Sequence, residues 1–188
     1  MKDKAYTRAV VFLCAAIAAS VLLGGCRSVY SCYRSAVAVY SDSADGQSAE
    51  DAAASLLGNA KNLLKVARRN SVAEKVAVSL SNSIEKAEQA KELSEKKENI
   101  VSVCNDSRLV YDELGLCELT DSDKTYRTEL FYNIRSCYSV LCHDEYNTAA
   151  TEFNAVIKAQ PARLFSGLIG KNELPVFNPQ DVILEGSK

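Results

Sequence analysis

The stretch Thr120–Pro161, TDSDKTYRTELFYNIRSCYSVLCHDEYNTAATEFNAVIKAQP, carries the longest helical periodicity in the sequence and decides the fold class. Apolar residues recur in it at steps of three or four, the spacing of one face of an α-helix. We predict one long helix that begins after the turn-rich residues 120–123 and ends before Pro161, because the residue preceding a proline is pushed out of the helical region. The positions that form this face are Tyr126, Leu130, Ile134, Tyr138, Cys142, Tyr146, Ala149, Phe153 and Val156.

Two further helices are predicted upstream. The first begins at Ser48-Ala49-Glu50-Asp51, where a capping side chain precedes early acidic groups, and ends around Asn70. The second begins with Ser71-Val72-Ala73-Glu74, which has the pattern of a capping box. The apolar faces of these two helices are Ala53, Leu57, Ala60, Leu64 and Ala67, and Val72, Val76, Leu80, Ile84 and Ala87.

The region between these helices and residue 120 is read as helical as well. The charge-rich residues 85–98, EKAEQAKELSEKKE, are interpreted as a solvated helical stretch. Residues 105–107, Asn-Asp-Ser, are a candidate break, and Gly115 is a candidate carboxyl-terminal cap.

All three prolines of this 188-residue chain lie at Pro161 or later, and 47% of its residues are hydrophobic against 24% charged. This balance is typical of a folded globular chain. Long amphipathic helices need partners. The sequence therefore predicts an all-α domain, an antiparallel up-and-down bundle of three or four long helices over residues 48–160, with an irregular carboxyl-terminal tail over residues 161–188.

Residues 1–25 have the features of a lipoprotein signal peptide. Lys2, Lys4 and Arg8 precede an uncharged run of fifteen residues, which is short for a membrane span but suits the apolar region of a signal. The run ends in Leu23-Gly24-Gly25-Cys26, which resembles the bacterial lipobox. We expect cleavage between Gly25 and Cys26, diacylglycerol on the Cys26 thiol, and residues 26–47 as the lipidated amino terminus and a tether. A short helix over residues 29–40 stays open. The alternative is an uncleaved signal anchor.

Charge and missing motifs narrow the classes of function. The net charge is −2, and removing the basic signal leaves the remaining chain more acidic, so nothing favours nucleic-acid binding. No phosphate-binding loop or hydrolase motif occurs, and the single histidine, His143, lies one residue from Cys142 without metal-ligand spacing. We therefore expect no catalytic residues, no metal site and no cofactor.

The cysteines leave several arrangements open. Cys14 would leave with the signal, and five others would remain beside Cys26. Cys137 and Cys142 are five residues apart on a helix, about 140° around its axis, so they do not pair with each other. Cys104 or Cys117 bonded to Cys137 stays open, although buried free thiols are favoured slightly. The five cysteines are Cys32, Cys104, Cys117, Cys137 and Cys142.

The carboxyl-terminal third resembles the end of LemA family proteins. The resemblance rests on Tyr146-Asn147, Phe153-Asn154 and Pro161, followed by an apolar glycine-containing segment and Pro175-Val176-Phe177. A softer similarity covers residues 56–65, LLGNAKNLLK, where Gly58 departs from the family's proline. The Tyr-Pro pair of the family's middle region is also absent. The resemblance implies a membrane-tethered helical bundle without established enzymatic chemistry.

Helix geometry also predicts where the residues of this motif lie. Tyr146 and Phe153 repeat after seven residues on one helix face and are expected in the core, whereas Asn147 and Asn154 either bond the following segment or face solvent. Residues 162–170, ARLFSGLIG, either fold back on the bundle, which we favour, or touch the membrane.

The functional expectation is a bacterial lipoprotein of the cell envelope, facing the periplasm or the cell exterior. Its helical bundle would serve as a structural or protein-interaction module. Its membrane contact would be the lipid on Cys26, and its partner an unidentified envelope protein. A second hypothesis is a small-ligand site inside the bundle, lined by Tyr126, Tyr138 or Tyr146.

Overall fold

The computed structural model describes residues 2–42 and 48–182, and the regular secondary structure within these ranges is all helical. The all-α class predicted from the sequence is confirmed. Residues 43–47 of the predicted tether and 183–188 of the predicted tail lie outside the described residues. The helices are α1 (Lys2–Ser41), α2 (Ala49–Arg69), α3 (Glu74–Gln89), α4 (Leu93–Leu114), α5 (Asp121–His143), α6 (Glu145–Lys158) and α7 (Ala162–Leu168), followed by a 3-10 turn at Pro179–Asp181.

Helices α2 to α5 pack on one another around aliphatic side chains. Helix α2 contacts α3, α4 and α5, and α3 lies against α4. Burial of this apolar surface is the main force that holds the helices together. Fully buried side chains on these helices include Leu56, Leu63, Leu80, Ile100, Val103, Val110, Ile134 and Leu141.

Helix α1 packs mainly on α6 and α7, with a smaller contact to α2. The rings of Tyr33 and Phe153 meet edge to face at 5.6 Å, and those of Tyr40 and Tyr146 do so at 5.3 Å. Since the later α1 residue meets the earlier α6 residue, the two helices run in opposite directions. Pro161 follows α6, and the chain then brings α7 back to α1.

The part of the predicted lipidated amino terminus and tether that precedes Asp42 is helical, and it includes the short helix left open over residues 29–40. Helix α1 continues to Ser41, and Val29, Ala36 and Tyr40 are buried. These positions lie at steps of seven and four, so they form one helix face, which packs against the core. The residues between them are mostly small or polar and lie on the exposed side. The composition of the segment therefore does not reveal its apolar face.

The single long helix predicted between residues 124 and 160 is divided at Asp144. The Asp144 backbone is extended (φ −66°, ψ 152°), and its Oδ1 accepts a hydrogen bond from the Tyr146 amide at 2.8 Å, which caps α6. The break changes the partner of the apolar face, because α5 packs on α2 and α6 packs on α1. Tyr126 and Val156, two members of the predicted face, are about half exposed.

One of the two predicted amino-terminal caps is present. Ser48 and Asp51 form a capping box at the start of α2, and α2 ends at Arg69 as expected. The box predicted at Ser71 and Glu74 is wrong. Ser71 adopts a left-handed backbone (φ 54°) in the tight turn after α2, and α3 begins at Glu74 without a side-chain cap.

The predictions of one helical stretch over residues 85–98 and of a break at residues 105–107 are both wrong. The chain turns between α3 and α4 around Ala90, so the charged stretch is split. Helix α4 runs unbroken past Asp106, whose carboxylate accepts hydrogen bonds from Ser79 (3.1 Å) and Ser83 (2.5 Å) on α3. The Asp106 carboxylate therefore joins α4 to α3 and does not break α4. Gly115 is the carboxyl-terminal cap of α4, as predicted.

The tail is more ordered than the irregular segment predicted for residues 161–188. Residues 162–168 form α7, and residues 171–178 have no regular secondary structure, although Leu174 and Phe177 are buried. Segment 162–170 folds back on the helices, which is the arrangement favoured from the sequence.

Candidate functional site

The predicted lipidation site lies within α1. Cys26 is half-buried, and it follows a run of exposed apolar side chains from Val10 to Leu23. Among the described residues, the helix segment Tyr6–Ser41 is long and apolar enough to cross a membrane, with a mean hydropathy of 2.4 in its most apolar window and none of that window buried. A signal sequence near the amino terminus has the same properties, so this property fits both a signal and an anchor.

Gly25, at the predicted cleavage site, touches α7. A Cβ atom placed on Gly25 would overlap the ring of Phe165, so only a glycine allows this close approach. The neighbouring Gly24 faces open space. The full-length chain thus holds α7 directly beside the Gly25-Cys26 bond.

A second arrangement of polar groups lies on α6, where Asn147 binds the tail. Its Nδ2 donates to the Phe177 carbonyl at 2.8 Å, and its Oδ1 accepts from the Phe177 amide at 2.9 Å. Nδ2 also donates to the carbonyl of Cys142 at 2.8 Å, one of the last carbonyls of α5. One buried side chain therefore joins the end of α5, the start of α6 and the tail.

Asn154 forms the same pairing with Leu174, three residues before Phe177 in the tail. Its Nδ2 donates to the Leu174 carbonyl at 2.8 Å, and its Oδ1 accepts from the Leu174 amide at 2.7 Å. We call Asn147 and Asn154 the asparagine clamp. An extended chain carries unpaired amides and carbonyls, which cost free energy when buried, and the clamp pairs both groups at two of its residues.

Two tyrosine hydroxyls complete the binding of the tail. Tyr146 donates to the Pro175 carbonyl at 2.8 Å, and Tyr138 donates to the Asn178 carbonyl at 2.9 Å. Burial raises the pKa of both phenols well above the ordinary value, so both remain neutral donors. The aromatic pair Tyr146 and Phe153 lies in the core as predicted.

Two arrangements of Asn147 and Asn154 were left open by the sequence, bonding to the following segment or exposure to solvent. In the structure both side chains bond the following segment. The seven-residue spacing placed them on one face. The sequence did not reveal which backbone groups they would meet, because residues 174 and 177 approach α6 only after the chain turns at Pro161. It also gave no sign that Tyr138 takes part.

Two of the three tyrosines predicted to line a small-ligand site bond the chain's own tail. Tyr138 and Tyr146 are buried with their hydroxyls bonded to the chain's own tail, and Tyr126 is half exposed on α5. No group of three or more His, Cys, Asp or Glu side chains within residues 2–42 and 48–182 is placed to hold a metal ion.

All seven cysteines lie in the described ranges, and each is a free thiol. Cys104 is buried, and burial raises its pKa and those of Cys137 and Cys142. A raised pKa keeps a thiol protonated and poorly nucleophilic. All three thiols are therefore poor nucleophiles, although only Cys104 is buried and Cys137 and Cys142 are half-buried.

No protein-family model, curated protein or solved structure matches this chain.

Proposed function

We propose that this protein is a bacterial lipoprotein that is anchored to a membrane of the cell envelope through lipid on Cys26. The observation that carries the proposal is Leu23-Gly24-Gly25-Cys26 at the end of an exposed apolar segment that follows a basic amino terminus. Each buried CH₂ of an acyl chain contributes about 0.8 kcal/mol, and two or more chains are needed for firm anchoring.

Residues 26–182 would then serve as a helical-bundle module for structure or protein interaction at the membrane surface, with no catalytic role. Support for this part comes from the tightly bonded interior, in which Tyr138, Tyr146, Asn147 and Asn154 all hold the chain's own backbone. The motif Tyr146-Asn147 and Phe153-Asn154 is the ground for a divergent, LemA-like relationship, and its contacts give the motif a structural purpose.

The test of the anchor is Cys26→Ala in a bacterial host. We expect this variant to accumulate as unprocessed precursor and to lose labelling by radioactive palmitate. Cys32→Ala, which changes an exposed cysteine on the same helix, is the matched control and should label normally. Unchanged labelling of Cys26→Ala would exclude lipidation at this residue.

An uncleaved signal anchor is the second candidate, and the continuity of α1 favours it. The helix runs from Lys2 to Ser41 through the predicted cleavage site, and Phe165 covers Gly25. The intact mass of the membrane-extracted protein separates the two proposals, because cleavage removes residues 1–25.

Crosslinking in native membranes tests the interaction role. We expect a reproducible protein adduct from the wild-type chain. Recovery of lipid adducts alone would contradict the existence of a protein partner.

A further inference from the structure

Helix α7 leaves two leucines uncovered beside the membrane anchor. Leu164 and Leu168 are 61% and 66% exposed. They are four residues apart and share one face of α7. Between them, Phe165 packs on Gly25 and Ser166 is buried, so α7 is fixed to the protein by its other side.

The position of α7 along α1 indicates what surrounds the exposed Leu164 and Leu168. Gly25 is the last residue of the proposed signal, and the thiol of the next residue would carry the acyl chains. The apolar residues of α1 that precede Gly25 are exposed, whereas Val29, Ala36 and Tyr40 further along the helix are buried against the protein. The contact between Gly25 and Phe165 therefore places α7 at the point where α1 passes from the lipid to the protein.

The groups around this point suit the surface of a bilayer. Arg27 and Arg163 are exposed next to Cys26 and Leu164, and Tyr30 is 46% exposed one helical turn beyond Cys26. Arginines attract anionic headgroups, and tyrosine rings favour the level of the headgroups.

We propose that α7 is a second membrane contact, with Leu164 and Leu168 inserted in the interfacial layer of the bilayer that holds the anchor. This inference rests on the proposed anchoring at the amino terminus. Cleavage of the signal would remove Gly25 from Phe165, and the ring would then lie against the acyl chains on Cys26. The lipid and α7 together would fix the orientation of the protein on the membrane, which one flexible attachment does not do.

The chain contains no tryptophan, so a single introduced tryptophan reports on its own surroundings. The test uses Leu164→Trp and Leu168→Trp in the protein as it is extracted from the membranes of the producing bacterium. Each variant is reconstituted into vesicles of phosphatidylethanolamine and phosphatidylglycerol with ordinary or brominated acyl chains. Leu116→Trp is the matched control, because Leu116 is 84% exposed and follows α4. That helix packs on α2, α3 and α5, whereas α7 packs on α1 and α6.

We expect brominated lipid to remove much of the emission of Leu164→Trp and Leu168→Trp, and to leave that of Leu116→Trp unchanged. Circular dichroism checks that each variant is folded, and the two α7 variants are independent of each other. Unquenched emission from both, in protein that still sediments with the vesicles, overturns the inference while the anchor stands. If the emission is unquenched and the protein is a dimer in detergent, the face of Leu164 and Leu168 binds a second copy of the chain, and the inference is overturned as well. If Cys26→Ala retains its lipid label, the proposed anchor itself fails, and that outcome is distinct from a failure of quenching.

Discussion

The Asn147 side chain bonds both backbone groups of Phe177, donating to its carbonyl at 2.8 Å and accepting from its amide at 2.9 Å. An asparagine amide offers one donor group and one acceptor in a fixed plane, so it matches a single residue of extended chain. Asn154 forms the same pair with Leu174. The tail is thus held to α6 as a strand is held by its neighbour in a sheet, with side chains in place of a second strand.

Removing either asparagine of the clamp should destabilise the protein. We expect Asn147→Ala and Asn154→Ala each to lower the free energy of unfolding by about 2 kcal/mol, because each leaves buried backbone groups unpaired. Urea denaturation measures the loss. Asn172→Ala, at an exposed position of the same tail, is the control and should have little effect. In a chain that ends at residue 170, Asn154→Ala should cost much less, since its tail partner is gone.

Phe177 should be the strongest apolar contact of the tail. Its ring is 3% exposed and meets Tyr138 and Tyr146, each with ring centres 6.3 Å apart. Phe177→Ala should cost about 3–5 kcal/mol through lost burial and the cavity left behind. Leu116→Ala, at a largely exposed position, should change stability by less than about 0.5 kcal/mol. A small effect at Phe177 would mean that the tail is not bound in solution, and deletion of residues 161–188 would then leave the melting temperature unchanged.

Stability should fall in acid because of Asp123 at the start of α5. The hydrogen bond from Asn70 is the main cause that lowers the pKa of this carboxyl below its ordinary value of 3.8, and Arg69 and Thr120 lower it further. A folded-state pKa below the unfolded one contributes stability above the unfolded pKa, and this contribution is lost as the pH falls through the folded pKa.

Asp123→Asn tests this dependence. We expect its melting temperature to lie below that of the wild type at pH 7 and to approach it below about pH 4. Asp121→Asn, which changes a fully exposed carboxylate two residues earlier, is the control and should lack this dependence. A difference between Asp123→Asn and the wild type that stays constant from pH 7 to pH 3 would contradict the role of the carboxylate charge.

The thiols of Cys104 and Cys142 should react slowly with alkylating agents in the folded protein. Burial raises the pKa of Cys142 from 9.0 to about 11, which reduces the thiolate fraction at pH 8 about 100-fold. Cys104 is buried, and its pKa is raised as well. Mass spectrometry after iodoacetamide treatment should show modification of the exposed Cys32 first. The difference should disappear in urea, and equal rates for Cys104 and Cys32 in the folded state would refute it.

Local signals predicted much of the helical structure. The cap at Ser48, the helix end near Asn70 and the cap at Gly115 follow from the hydrogen-bonding needs of helix ends, which nearby residues meet. The turn at Ala90 has no proline or glycine to mark it. The division at Asp144 was hidden because the apolar spacing continues through it, although an aspartate before Glu145 fits a capping position.

The sequence alone determined that the chain is helical and that the helical run stops before Pro161, because periodicity, capping and proline geometry act within a few residues of chain. It also placed Tyr146 and Phe153 in the core and the two asparagines on one face. Only the tertiary structure decided that the asparagines clamp Leu174 and Phe177, and that Phe165 lies against Gly25. Those contacts join residues 20, 30 and 140 positions apart, and which residues meet over such separations depends on how all the helices pack at once.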